Sequence, residues 1–239
     1  MFLNRFLRRG LLVVTLGVTA SVSGAPLAAQ AATTSPSVAS VLKAVRAAMA
    51  TERGVHIVVR SRSATTHNSV VADLGRTSGS ETFTSGAAKV SISVTPTYAY
   101  LRGNASGLVT LVGLTSSEQK KVGTKSISMK AGTSPYVSFR SNLTVGAFSA
   151  FLPTQKDVRL SRGVHGAYVL SWTTKATSTT TRTTSVLTMS AGKRPLPQRE
   201  VVSSSSGSGT TYFSRWGESV KESAPPAGTL IPYTAVVKG

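Results

Sequence analysis

No cysteine occurs anywhere in the 239 residues. That excludes disulfides, thiolate metal sites and a cysteine nucleophile, and it also excludes a lipid linked to an N-terminal cysteine. Acids are nearly as scarce: eight Asp and Glu stand against 27 Lys and Arg, for a formal charge of +19. The three histidines, His56, His67 and His165, lie 11 and 98 residues apart, and no His-Glu-x-x-His occurs, so a zinc site has no local signature. Gly-x-Ser-x-Gly is absent, and with it the strained elbow that presents a serine nucleophile. A phosphate-cradling Gly-x-x-x-x-Gly-Lys-Ser/Thr is also missing. Ser-x-x-Lys occurs at Ser40/Lys43 and Ser117/Lys120, but without the Ser-Asp-Asn and Lys-Thr-Gly strings that accompany it in penicillin-recognising enzymes. Asp73, Glu81 and Asp157 remain as carboxylates that only the fold can pair. The expectation is a chain that is not an enzyme and uses neither metal nor cofactor.

Long apolar runs are confined to the N-terminus. Arg5, Arg8 and Arg9 precede an apolar stretch from Leu11 to Ala20 that leads to Ala29-Gln30-Ala31. A charged head, a greasy middle and small residues at a cleavage point read as a secretory signal over 1–31, removed before Ala32. The apolar run is about half the ~20 residues that span a bilayer. Residues 32–239 are then one exported domain with no transmembrane segment after cleavage. Its charge favours anionic partners: lipid headgroups, acidic wall polymers or nucleic acid. The tightest basic groups, Lys120-Lys121 with Lys125 and Lys130, and Lys193-Arg194 with Arg199, lack the interleaved aromatics on which bases stack, so no specific nucleic acid is expected.

Ser35 and Pro36 offer a helix start, after which Val38, Val41, Leu42, Val45, Ala48 and Met49 recur at helical spacing until Gly54. The period then drops to two. Val55, Ile57 and Val59 alternate with polar positions, and similar alternation recurs through 67–75, 80–84, 89–94, 97–102, 126–130, 158–161, 166–174, 184–190, 198–205 and 209–214. This predicts a long antiparallel meander of about ten strands, regular pairing stopping at Pro225-Pro226. Two interruptions at 104–123 and 136–153 break the alternation. The first predicts a short helix capped by Ser117, the second a helix capped by Thr144 and stopped by Pro153. With about three helices against about ten strands the fold class is α+β, the helices covering one apolar sheet face. Leu108, Leu111 and Leu114 in the first interruption, and Val145, Phe148, Phe151 and Leu152 in the second, either fill the space above the sheet or line a pocket in it.

The stretch YFSRWGESVKESAPPAG at 212–228 resembles the closing segment of the actinobacterial LppX/LprG-type envelope lipoproteins, relatives in fold of the LolA carrier. AYLRGNASG, VHGAYVLSW and GKRPLPQREVV match in the same order, so the resemblance covers most of 38–228. It implies a strongly curved antiparallel half-barrel whose concave side, under the helices, encloses an apolar cavity for acyl chains. It also implies a carrier or sensor of lipid or lipoprotein in the cell envelope, with no catalytic residues. The seven apolar residues named above are then the candidate ligand-binding set, and Trp216 a staple of the last strand. Anchored members carry a cysteine after the signal; Ala32 stands there here, which implies a secreted form without a lipid anchor. The competing expectation is a structural or adhesive module that grips anionic wall polymer by surface charge.

Overall fold

The computed structural model describes residues 36–146, 152–154, 157–174 and 181–237. The chain enters through helix α1 (Val38–Thr51), whose N-terminus is capped by the Ser37 side chain accepting from the Ser40 amide. Ser35, the expected cap, lies outside the described residues. The predicted apolar stripe is the buried one: Val41, Leu42, Val45, Ala48 and Met49.

Twelve strands form one open, curved sheet: β1 (Gly54–Ser63), β2 (His67–Gly75), β3 (Gly79–Ser85), β4 (Ala88–Val94), β5 (Tyr98–Gly103), β6 (Ser126–Lys130), β7 (Arg159–Arg162), β8 (Tyr168–Thr174), β9 (Thr183–Met189), β10 (Pro197–Ser204), β11 (Gly207–Ser214) and β12 (Leu230–Pro232). Their order is β12-β6-β5-β4-β3-β2-β1-β11-β10-β9-β8-β7. The expected single meander is therefore two. β1 to β6 run outwards in one direction, the chain crosses to the far edge, and β7 to β11 return until β11 pairs with β1. Alternation within a strand reports which face is wet and says nothing of which strands pair across a long connection. Both edges are blunted. β7 is four residues long and bears Arg159 and Arg162, while β12 is three residues long and ends in Pro232.

Pairing does not stop at Pro225-Pro226, as expected from the sequence. After the prolines, β12 adds to β6 in parallel, Ile231 opposite Ile127, and a short helix follows at Tyr233–Val236. The earlier helical segments are α2 (Ala105–Gly107), widening into a π-helical turn at Leu108–Val112, α3 (Ser116–Val122) and α4 (Ser134–Asn142); the C-terminal helix is α5. Thr115, rather than Ser117, caps α3. Its hydroxyl accepts from the Glu118 amide at 3.2 Å while Glu118 accepts from the Thr115 amide at 2.7 Å. In the second interruption a helix not expected from the sequence stands at α4, with Tyr136 and Phe139 buried; most of the expected one, 147–151, lies outside the described residues. Thr144 makes a bridge to Gly75 instead of capping a helix, and Val145 and Gly146 are not helical.

Two segments cross the end of the sheet at which β1 begins. One carries Leu143 and Val145, whose amide donates to the Gly75 carbonyl; further along the chain the Pro153 carbonyl accepts from Arg46 of α1. It carries the chain from α4 towards β7. A Cβ on Gly79 would meet the Leu143 carbonyl oxygen at 2.1 Å, so this crossing requires glycine there. The other runs from Trp216 to the prolines: the Gly217 amide donates to Gly54 and the Ser78 hydroxyl to Val220. The Trp216 indole donates to the Pro197 carbonyl at 2.8 Å, which fastens this segment to β10.

Candidate functional site: the concave face

Register and burial separate the two faces of the sheet. One row reads Met129, Ala99, Val94, Gly79, Leu74 and Val55, the next Ile127, Leu101, Ile92, Glu81, Ala72, Ile57 and Phe213. A third runs Val90, Phe83, Val70, Val59, Thr211, Glu200, Leu187, Leu170 and Leu160. Most of these residues are buried, and they form one core with the apolar stripe of α1. This is the concave, helix-covered face.

Its covering is uneven. Over β4 to β6 the π-helical turn, α3, α4 and α5 close it almost completely. The space left between Leu101, Val112, Leu114, Ile127, Met129, Tyr233 and Val237 is about 20 Å³, room for a single water and not for a chain of methylenes. Over β1 and β8 to β11 the closure is partial. Val59, Leu160, Trp172, Glu200, Val202 and Thr211 all point to the concave side and all remain half-exposed, although Leu170, Leu187 and Phe213 beside them are buried.

Of the seven residues expected to line a cavity, Leu108, Leu114, Val145 and Leu152 are buried and Leu111 is half-buried in the same core. Phe148 and Phe151 lie outside the described residues. Val59, Trp172, Val202 and Glu200 were missed. The signal was available, since Trp172 shares parity with Leu170 and Glu200 with Val202, but each strand also carries apolar residues of the opposite parity.

Two carboxyl groups stand on the concave face. Glu81 lies between Ala72 and Ile92 and Glu200 between Thr211 and Leu187. Burial pushes the pKa of each up to about 7, and among the described residues neither has a hydrogen-bonding or ionic partner. Near neutrality these are acids that offer an O–H to a ligand as readily as a carboxylate oxygen. Strands β2, β1 and β11 separate them, roughly 19 Å along the sheet at ordinary strand spacing. They do not constitute a pair for acid–base work on one bond.

Asp73 lies on the opposite face. Its Oδ1 is 2.8 Å from His56 Nδ1 and 3.1 Å from Arg215 Nη2, and Arg215 also reaches the imidazole. Among the described residues no hydroxyl hydrogen-bonds to His56, so the group ties Arg215, at the exit of β11, to β1 and β2 and presents no activated nucleophile. Ser40 donates to the Ser37 carbonyl at 2.8 Å rather than to Lys43. Asp157 is exposed. Among the described residues no three of His, Asp and Glu are grouped to hold a metal ion, and no helix is long and apolar enough to cross a membrane.

No family model and no curated protein matches the chain. Among solved structures it is similar to the lipoprotein LppX of Mycobacterium tuberculosis, with 13% identity and a TM-score of 0.44 over 77% of this chain and 96% of that one. It is also similar to LprF of Mycobacterium bovis, with 16% identity and a TM-score of 0.46 over 80% and 99%. LppX is one of the proteins that give the LppX/LprG type, which the sequence motifs resemble, its name.

Proposed function

We propose that this protein is an exported, non-enzymatic binder of a lipid or similar amphiphile, acting as carrier or sensor in a bacterial cell envelope. The ligand's apolar part lies against Val59, Trp172 and Val202, beside Val145 and Leu152. Glu200 meets its polar end. Leu108, Leu111 and Leu114 close the other half of the hollow. One observation carries the reading: a single apolar concave face is sealed to the size of one water over β4 to β6, yet left half-open over β1 and β8 to β11. Each methylene buried there contributes about 0.8 kcal/mol, so a short chain suffices for binding. The N-terminal 31 residues serve as an export signal, and with no cysteine the released chain works without a thioether-linked lipid.

Native mass spectrometry of protein purified gently from its own host tests this. Bound mass in the lipid range is expected, lost in Val202→Trp, which fills the open side. Protein with no bound mass, unable to take up a fluorescent fatty acid, refutes the reading. The cationic surface favours a second possibility, an adhesive module on anionic wall polymer. That module would yield no lipid and would bind purified wall in a salt-sensitive way.

A further inference from the structure

The opposite, solvent-facing side of the sheet has a groove of its own. It measures about 490 Å³ and lies at the turn end of β11, β1, β2 and β3, with Arg60, Arg62, His67, Ser69, Thr84 and Thr210 in its wall. Strand register explains the grouping. Arg60 lies opposite Thr210 on one side and Ser69 on the other, Arg62 opposite Ser208 and His67, and Ser69 opposite Thr84. The Cβ atoms of directly opposed residues sit about 5 Å apart, so each arginine shares the groove wall with hydroxyls or an imidazole. No acid lines the groove. Several other arginines are engaged, Arg215 with Asp73, Arg194 with Glu52, Arg76 and Arg53 with backbone carbonyls, while the side chains of Arg102, Arg159 and Arg182 make no such bond among the described residues. Among the described residues Arg60 and Arg62 have no such partner.

The row next to Arg60 is apolar. Val58 lies between Tyr212 and Val71, which are 44% and 42% exposed. Arg199 borders this strip, its guanidinium 5.8 Å from the Tyr212 ring, and Lys89 lies across from Thr84 at the far side of the groove. Cations and hydroxyls beside a strip of exposed Val and Tyr are complementary to a phosphate that sits next to hydrocarbon.

We propose that this groove binds the phosphate group of an anionic phospholipid, Arg60 and Arg62 gripping the phosphate oxygens while Tyr212 and Val71 rest on the bilayer interface. Guanidinium forks suit phosphate geometry, and an aromatic beside an aliphatic suits the headgroup boundary. The site is on the face opposite the concave one, so the inference stands whether or not that face holds a lipid.

The test is sedimentation of the full chain with vesicles of phosphatidylglycerol and of phosphatidylcholine, together with calorimetric titration by inorganic phosphate and glycerol 3-phosphate. Binding to phosphatidylglycerol alone is expected. It should fall about thirtyfold in R60Q/R62Q and change less than about twofold in K120Q/K121Q, which removes the same charge from α3. Equal loss in the two variants would mean diffuse attraction and overturn the site, as would R60Q/R62Q binding like the parent. If vesicles are ignored but both soluble phosphates bind and R60Q/R62Q abolishes it, the phosphate site stands and its lipid source is overturned.

Discussion

Glu81 is an acid in the wrong place for stability. Flanked across the strands by Ala72 and Ile92 and with no partner among the described residues, it has a native pKa raised by burial from 4.5 to about 7. A carboxyl whose folded pKa exceeds its unfolded one stabilises the fold in its protonated form. Its contribution is therefore full below about pH 4.5 and is lost as pH rises through 7. The shift corresponds to about 3 kcal/mol for this group. Glu81→Gln should thus match the parent in urea unfolding at pH 4 and exceed it by up to about 3 kcal/mol at pH 8. A variant equally stable, or less so, at pH 8 would show that the carboxylate is hydrated or paired in the folded protein. Glu200, raised by the same cause, should give the same sign with a smaller amplitude, because it is half-exposed. The sequence showed Glu81 only as one of three acids without a pairing. That it faces inward is read from Phe83, two residues on, but that nothing meets it depends on the helices above.

At the scale of elements, local chemistry was legible and long-range placement was not. The stripe of α1 and the alternation of β1, β4 and β6 identified their buried faces because a side-chain period is a property of the strand or helix alone. The helix at Ser134–Asn142 was not anticipated because the apolar spacing of Val145 to Leu152 drew the reading further along the chain. Pro135 in its first turn and the pairing of Thr144 with Gly75 bound it on either side. That pairing also explains Gly79, where any side chain would strike the Leu143 carbonyl. Gly79→Ala should destabilise the protein by about 1–3 kcal/mol, the usual penalty of overpacking, and protease should cut residues 143–154 faster than in the parent. Thr115→Ala, which breaks the reciprocal cap of α3, should cost about 1 kcal/mol by thermal unfolding without that change in cleavage. The Asn104 side chain is fully engaged, accepting from the Gly107 and Lys89 amides and donating to the Ala87 carbonyl.

For the whole molecule the decisive feature is that two meanders meet at β1 and β11, so the two halves of one concave face are closed by different means. β4 to β6 lie beneath helices contributed by the interruption at 104–123, by α4 and by the C-terminus. Over β8 to β11 the inner side chains of Trp172, Glu200, Val202 and Thr211 stay half-exposed. An α+β fold with a helix-covered curved sheet was readable from the strand count and the amphipathic α1. The uneven cover was not, because it depends on β12 and α5 returning to β6 after a diproline that looks like an ending. This asymmetry predicts unequal protection. Several inner residues of β8 to β11 (Trp172, Glu200, Val202 and Thr211) are half-exposed, so local opening should need less free energy there than in β3 to β5. Hydrogen exchange should therefore run faster in 168–174, 183–189 and 197–204 than in 79–103. Loading with a fatty acid should slow exchange in the first group while leaving the second unchanged, since only the open side gains buried surface. Equal protection before loading would mean that the β8 to β11 half is as tightly closed as the other. Slowing spread evenly over both groups would mean that the ligand stabilises the fold globally without occupying the open half.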